Sequence, residues 1–144
     1  MRISQAKWYD NSAIRKLEQR VWKEKDISGK YETGILARFE YVFVAKEKKK
    51  IVGAILAMKT ATDEIYVTDI IVDPLWQHLG IAKKLYQTLI AACGNAALLA
   101  LVDTANEHSI ALHKELGFKG VKKIKDPFGV ALKSTSFLMR REAK

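Results

Sequence analysis

The run Ile70-Ile71-Val72-Asp73-Pro74-Leu75-Trp76-Gln77-His78-Leu79-Gly80-Ile81-Ala82-Lys83-Lys84-Leu85 changes its period halfway along. Its first three residues are β-branched and apolar, as in a buried strand. Asp73-Pro74 ends that strand, because proline has no N–H to give to a ladder. From Gly80 onward Ile81, Ala82, Leu85, Leu89 and Ile90 fall on one helical stripe. A strand therefore runs into a loop, and the loop opens a helix. The first turn of a helix carries N–H groups without intrahelical acceptors, and the helix dipole adds partial positive charge there. Together they make an anion site. Gly80 has no side chain to hold a phosphate away from the backbone. Ala82 is nearly as small, and Lys83 and Lys84 add charge nearby. The P-loop is excluded, since Gly80 is followed by Ile81-Ala82 and not by Lys and Ser/Thr. The dinucleotide fingerprint is excluded too, because it needs three glycines. Taken alone, a single glycine at a helix start also fits a plain loop-to-helix turn.

Upstream, 65–72 reads as the strand that feeds this loop, and 41–45 and 51–58 read as an antiparallel hairpin. The hairpin turn falls in Lys46-Glu47-Lys48-Lys49-Lys50, so this basic cluster is a turn and not a binding tail. Residues 3–8 suit a first strand. Asp10, Asn11 and Ser12 are capping residues for a helix bearing Ile14, Leu17, Val21 and Trp22 at helical spacing. A second helix is predicted over 31–39. Downstream, Gly94-Asn95 closes the helix that begins at Gly80. A buried-type strand follows at 97–102. Asn106 caps a further helix that Gly117 stops, and 118–124 and 135–139 read as two final strands. Hairpins first and a strand-helix-strand unit afterwards indicate an α/β fold. The sheet is mixed and mostly antiparallel, flanked by helices. No repeat, low-complexity segment or linker breaks residues 1–144, so a single domain is expected.

The chain has 144 residues, 49% of them apolar, which is enough for a core. No apolar run reaches the roughly 20 residues of a membrane span. The longest, 90–102, is broken by Gly94 and Asn95. Met1-Arg2-Ile3-Ser4-Gln5 lacks the apolar block of a signal peptide. A soluble, cytoplasmic protein is expected. Cys93 is the only cysteine, which rules out an internal disulfide and a cysteine-based zinc cluster. His108 and His113 are five apart, not the four of a helical zinc pair, so no metal is expected. The net charge of +9 favours an anionic partner, be it a phosphorylated cofactor, nucleic acid or a membrane surface.

The segment is similar to one family in particular. Val72-Asp73-Pro74 followed by Gln77-His78-Leu79-Gly80-Ile81-Ala82 resembles the pattern of the GNAT N-acetyltransferase family, Val-x-Pro and then Gln/Arg-x-x-Gly-x-Gly/Ala. A second block, Asn106-Glu107-His108-Ser109-Ile110-Ala111-Leu112-His113-Lys114-Glu115-Leu116-Gly117-Phe118, resembles the family's helix ending in Gly-Phe. The hairpin with Val52-Gly53 resembles its second and third strands. The resemblance is strong from 70 to 118, fair over 41–58 and weak in the first 40 residues, which in the family shape the acceptor pocket.

The resemblance implies an acetyl-CoA-dependent N-acetyltransferase that passes the acetyl group to a primary amine by direct attack in a ternary complex. Gln77, His78, Leu79, Gly80, Ile81, Ala82 and Lys83 would wrap the diphosphate of coenzyme A. Backbone at Ile70, Ile71 and Val72 would bind the pantetheine arm as an added strand and hold the oxyanion. Asn106 and Ser109 would complete the cofactor site. The family's acid is commonly a tyrosine on the last helix; His113 holds that position here, on the same face as Asn106. Asp69, just upstream of the acyl site, is the candidate base, ahead of Glu64 and Glu107, and Tyr66 lines the same face. Trp22 is expected in the core, and Trp76 is expected to pack over the loop in preference to bordering the adenine. The partners implied are acetyl-CoA and an amine acceptor, either small molecule or protein, with room for a homodimer and no membrane contact. A second reading is a GNAT-like module that binds acyl-CoA without turnover, as a sensor or interaction domain. A basic nucleic-acid-binding domain is disfavoured, because no aromatic residues interleave with Lys and Arg in a binding motif.

Overall fold

In the computed structural model, residues 1–22, 41–127 and 134–143 are described. The helix expected over 31–39 lies outside them. The elements in order are β1 (Arg2–Gln5), a 3-10 turn (Trp8–Asp10), α1 (Asn11–Trp22), β2 (Tyr41–Glu47), β3 (Lys50–Lys59) and β4 (Ile65–Val72). They continue with a second 3-10 turn (Pro74–Trp76), α2 (Ile81–Cys93), β5 (Leu98–Asp103), α3 (Glu107–Glu115), β6 (Lys119–Lys125) and β7 (Thr135–Arg141). Among the described residues seven strands form one sheet, in the order β1-β2-β3-β4-β5-β7-β6. β4 and β5 pair in parallel, whereas the β1–β2, β2–β3, β5–β7 and β6–β7 ladders are antiparallel. This is the mixed, mostly antiparallel α/β sheet that the residue periods predict.

The first strand is shorter than expected. The last facing pair is Gln5 with Phe43, and one more backbone bond follows, from the Ala6 N–H to the Val42 carbonyl at 2.8 Å. Asp10 then folds the chain back, its carboxylate accepting the Lys7 N–H at 2.8 Å and the Lys46 ammonium at 3.0 Å. A buried carboxylate held this way closes a turn where 6–8 would otherwise extend the strand.

The described residues within 1–58 and 68–94 make one compact unit, and those within 59–67 and 95–143 make another. In the first, Ile14 and Leu17 of α1 pack on Val42, Val44, Ala54, Leu56 and Ile71. α2 buries Ile81, Leu85, Tyr86 and Leu89, the four-residue spacing of a core-facing stripe. Gly53 lets that helix come close. A Cβ there would stand 3.0 Å from Ile81 Cγ2 and 3.3 Å from both the Ile71 carbonyl and Leu85 Cδ1. The glycine thus fixes how near the start of α2 sits to β3.

In the second unit, Leu98, Ala100 and Val102 alternate inward along β5, the period of a strand with one buried face. β7 lies between β5 and β6. β6 is an edge strand with Lys119, Lys122, Lys123 and Lys125 exposed. Lysines along an edge resist pairing with another chain. Lys123 also lies over the Phe137 ring, 5.5 Å from its centroid.

Candidate active site

The exit of β4 is built by Asp73. Its Oδ1 accepts the Leu75 N–H at 3.0 Å, and Pro74 occupies the first position of the 3-10 turn. Proline suits that place because the position needs no N–H. Gln77 reaches back, its Nε2 donating to the Val72 carbonyl at 3.1 Å. The Gln77 side chain therefore shapes the loop. His78 and Gly80 both take positive φ, 63° and 80°. Two such residues within three positions turn the chain sharply into α2.

Among the described residues, no side chain caps the start of α2. Its first backbone bond runs from the Lys84 N–H to the Gly80 carbonyl at 3.1 Å. Among the described residues, nothing lies within 4 Å of where a Cβ on Gly80 would stand. An uncapped helix start beside open space has the chemistry of an anion site. Leu75 and Leu79 flank it with exposed side chains. The remaining loop residues, Gln77 and His78, are exposed as well, while Ile81 is buried and Ala82 and Lys83 are half-buried. Along β4, Ile71 is buried, and Ile70 and Val72 are half-buried. β5 engages β4 over its first three residues, Ile65 to Leu98, Tyr66 to Leu99 and Val67 to Ala100.

Asp69 lies two residues before Ile71 on β4. Burial, and then the neighbouring Glu18 carboxylate, push its carboxyl up to about 7, against hydrogen bonds from the Trp22 indole and the Ile70 backbone. Asp69 Oδ2 has no hydrogen-bond partner among the described residues. Tyr86 of α2 is fully buried, and burial with the Asp69 charge raises its phenol far above the ordinary value. The Asp69 surroundings thus comprise Glu18 and Trp22 of α1 and Tyr86 of α2. A carboxyl poised near neutrality can take a proton at pH 7 and release it again.

Two of these neighbours escape a reading of the sequence. Trp22, expected in the core, is 43% exposed and donates to Asp69. Glu18 is 1% exposed. It stands between Leu17 and Val21 on the apolar side of α1, and a carboxylate inside an apolar stripe was the available signal.

The second unit holds the other predicted residues. Asn106 Oδ1 accepts the Ser109 N–H at 3.1 Å, so Asn106 caps α3. His113 is 2% exposed. Its Nδ1–H donates to the Ser109 carbonyl at 2.6 Å, which fixes the tautomer because a carbonyl can only accept. The Phe118 ring meets the imidazole edge-on at 5.1 Å. Burial lowers the His113 pKa, opposed by the bond to Ser109. The imidazole is therefore neutral at pH 7. Glu64, a weaker base candidate, is occupied: the Thr62 hydroxyl at 2.8 Å and the Arg140 guanidinium hold its carboxyl below the usual range. Glu107 is exposed in the first turn of α3, where it complements the dipole.

Known proteins share this fold. The fold superposes on the ribosomal-protein-S18-alanine N-acetyltransferase of Escherichia coli with a TM-score of 0.85, at 22% identity over 99% of this chain and 94% of that one. It superposes on YncA of Salmonella typhimurium, solved with its cofactor acetyl-CoA, with a TM-score of 0.82, at 19% identity over 100% and 94%. The Mycobacterium leprae protein ML0378 is 33% identical over 81 residues, 56% of this chain and 22% of that longer protein. Residues 7–118, which include the hairpin, the β4–α2 loop and α3, match the family of GNAT acetyltransferases, and the chain belongs to that family.

Proposed function

We propose that the protein is an N-acetyltransferase that moves the acetyl group of acetyl-CoA to a primary amine. The observation that carries this reading is the uncapped start of α2 behind Gly80. Its amides, with the dipole behind them, suit a diphosphate. Gln77 to Lys83 supply that turn, and Ile70 to Val72 offer strand backbone for the pantetheine arm. YncA, of the same fold, binds acetyl-CoA.

The chemistry follows from the thioester. An alkylammonium has no lone pair, so the acceptor must first lose a proton. Asp69 takes it, directly or through a water, because its carboxyl titrates near neutrality. The amine nitrogen then attacks the carbonyl carbon. An N–C bond forms, and backbone N–H near Ile71 and Val72 stabilises the oxyanion. The nitrogen, cationic after the attack, gives its second proton to solvent, the oxyanion collapses, the C–S bond breaks, and the sulfur leaves as thiolate. A thiol pKa near ~8.5 makes that departure feasible unaided. His113, neutral and with Nδ1–H committed to Ser109, is a poor proton source. We assign it, with Asn106 and Ser109, to holding α3 in shape, and we assign the proton that reaches sulfur to solvent.

Acetyl-CoA is expected to raise the melting temperature. With a panel of peptide N-termini, lysines, polyamines and small amines, thiol release is expected for one acceptor class. Stabilisation by acetyl-CoA without thiol release for any amine would support a binding module instead. No stabilisation would contradict the cofactor site itself.

A further inference from the structure

Asp73 is a buried carboxylate, 3% exposed, to which acyl transfer gives no role. Besides accepting the Leu75 N–H through Oδ1, it faces the Arg20 guanidinium at 3.0 Å and the Lys50 ammonium at 3.7 Å through Oδ2. Its backbone N–H donates to the Val52 carbonyl and its carbonyl accepts the Trp76 N–H, each at 2.8 Å. One residue thus joins the turn before α2, the last turn of α1 and the start of β3. Arg20 stands on α1 between Glu18 and Trp22. Those two are the residues that α1 presents to Asp69, four positions before Asp73. The final turn of α1 is therefore attached to both ends of the segment from Asp69 to Asp73.

We infer that Asp73 and Arg20 are positioning residues: the turn before α2, which Asp73 seats by itself, is the anchor to which Arg20 ties the end of α1 and with it the surroundings of Asp69. The inference rests on the acyl-transfer reading for the meaning of the two places it couples. Its physical basis is the asymmetry of the pair. Arg20 is about half exposed, and Asp73 is buried. Losing the arginine leaves Asp73 seated on Leu75 and releases α1. Losing the carboxylate altogether also removes the cap on the turn.

The test uses four variants, each shown folded by circular dichroism. Two readouts follow: the acetyl-CoA dissociation constant by calorimetry, and the Asp69 titration midpoint from its carboxyl carbon resonance. Arg20→Gln is expected to move the Asp69 midpoint by about one pH unit, since a unit corresponds to a modest change in local interaction. Its acetyl-CoA affinity stays near wild type. Asp73→Asn keeps an oxygen for the Leu75 N–H and loses the ion pair, so it should copy Arg20→Gln. Asp73→Ala should shift the midpoint and also weaken acetyl-CoA by about tenfold, through the lost cap. Arg20→Lys is expected to restore the wild-type midpoint. An unchanged Asp69 midpoint in Arg20→Gln and Asp73→Asn overturns the inference. A wild-type protein that does not bind acetyl-CoA overturns the function proposed above, while the midpoint shifts still decide the coupling.

Discussion

α2 and α3 begin in opposite ways. α3 starts at Asn106, whose own side chain accepts the Ser109 N–H at 3.1 Å. α2 starts at Gly80, in the left-handed region, with no side-chain cap and with open space where a Cβ would stand. Both starts carry the same partial positive charge. One has answered it internally, and the other, among the described residues, leaves it open, which is why a diphosphate is proposed there. A helix terminus is informative when its own sequence leaves it open.

The largest effect should come from closing the open start. Gly80→Glu places a carboxylate where the diphosphate is proposed to sit, and its φ of 80° strains any side chain. Like-charge contact costs several kcal/mol, so acetyl-CoA affinity should fall by about 10³-fold, read by calorimetry. A folded Gly80→Glu with wild-type affinity would remove the contrast between the two helices.

Asp69→Asn comes next. Turnover should fall about 10²-fold with acetyl-CoA affinity retained. Wild-type turnover should rise with pH through about 7, where Asp69 loses its proton, and the variant should lack that rise. Stability changes in the opposite sense. The folded carboxyl is raised to about 7 from 3.8, so its contribution is complete below about pH 4 and is lost as pH rises through about 7. Thermal melts should show wild type losing ground to Asp69→Asn across that window and no further above it.

The smallest effect belongs to the closed start. Asn106→Ala removes the cap on α3 and should cost about 1 kcal/mol of stability, read as a lower melting temperature. Acetyl-CoA affinity should remain unchanged. A loss of affinity greater than the loss of stability would place Asn106 in the cofactor site.

How much of this could be read from the sequence depends on the range of the interactions. The β4–α2 junction is written in adjacent residues: β-branched Ile70-Ile71-Val72, a Pro74 stop, then Gly80 and a four-residue stripe. The Asn106 cap and the Gly117 stop are equally local. The order of the last strands is not, since nothing in 119–125 or 135–141 says that β7 lies between β5 and β6. Nor does the composition of α1 reveal that Glu18 and Trp22 meet Asp69, a contact across about fifty residues. Trp22 at helical spacing reads as core; only the fold turns its indole N–H toward a carboxylate. His113 matches a position in the family's pattern, but that pattern does not say that its Nδ1 bonds the Ser109 carbonyl within its own turn or that the Phe118 ring packs beside it.

The amides opening α2 can be watched directly. In a nitrogen-labelled protein titrated with acetyl-CoA, the Ile81 and Ala82 N–H resonances should shift more than those of Glu107 and Ser109 at the capped start of α3. Saturating acetyl-CoA that leaves Ile81 and Ala82 unmoved would mean the diphosphate is held elsewhere.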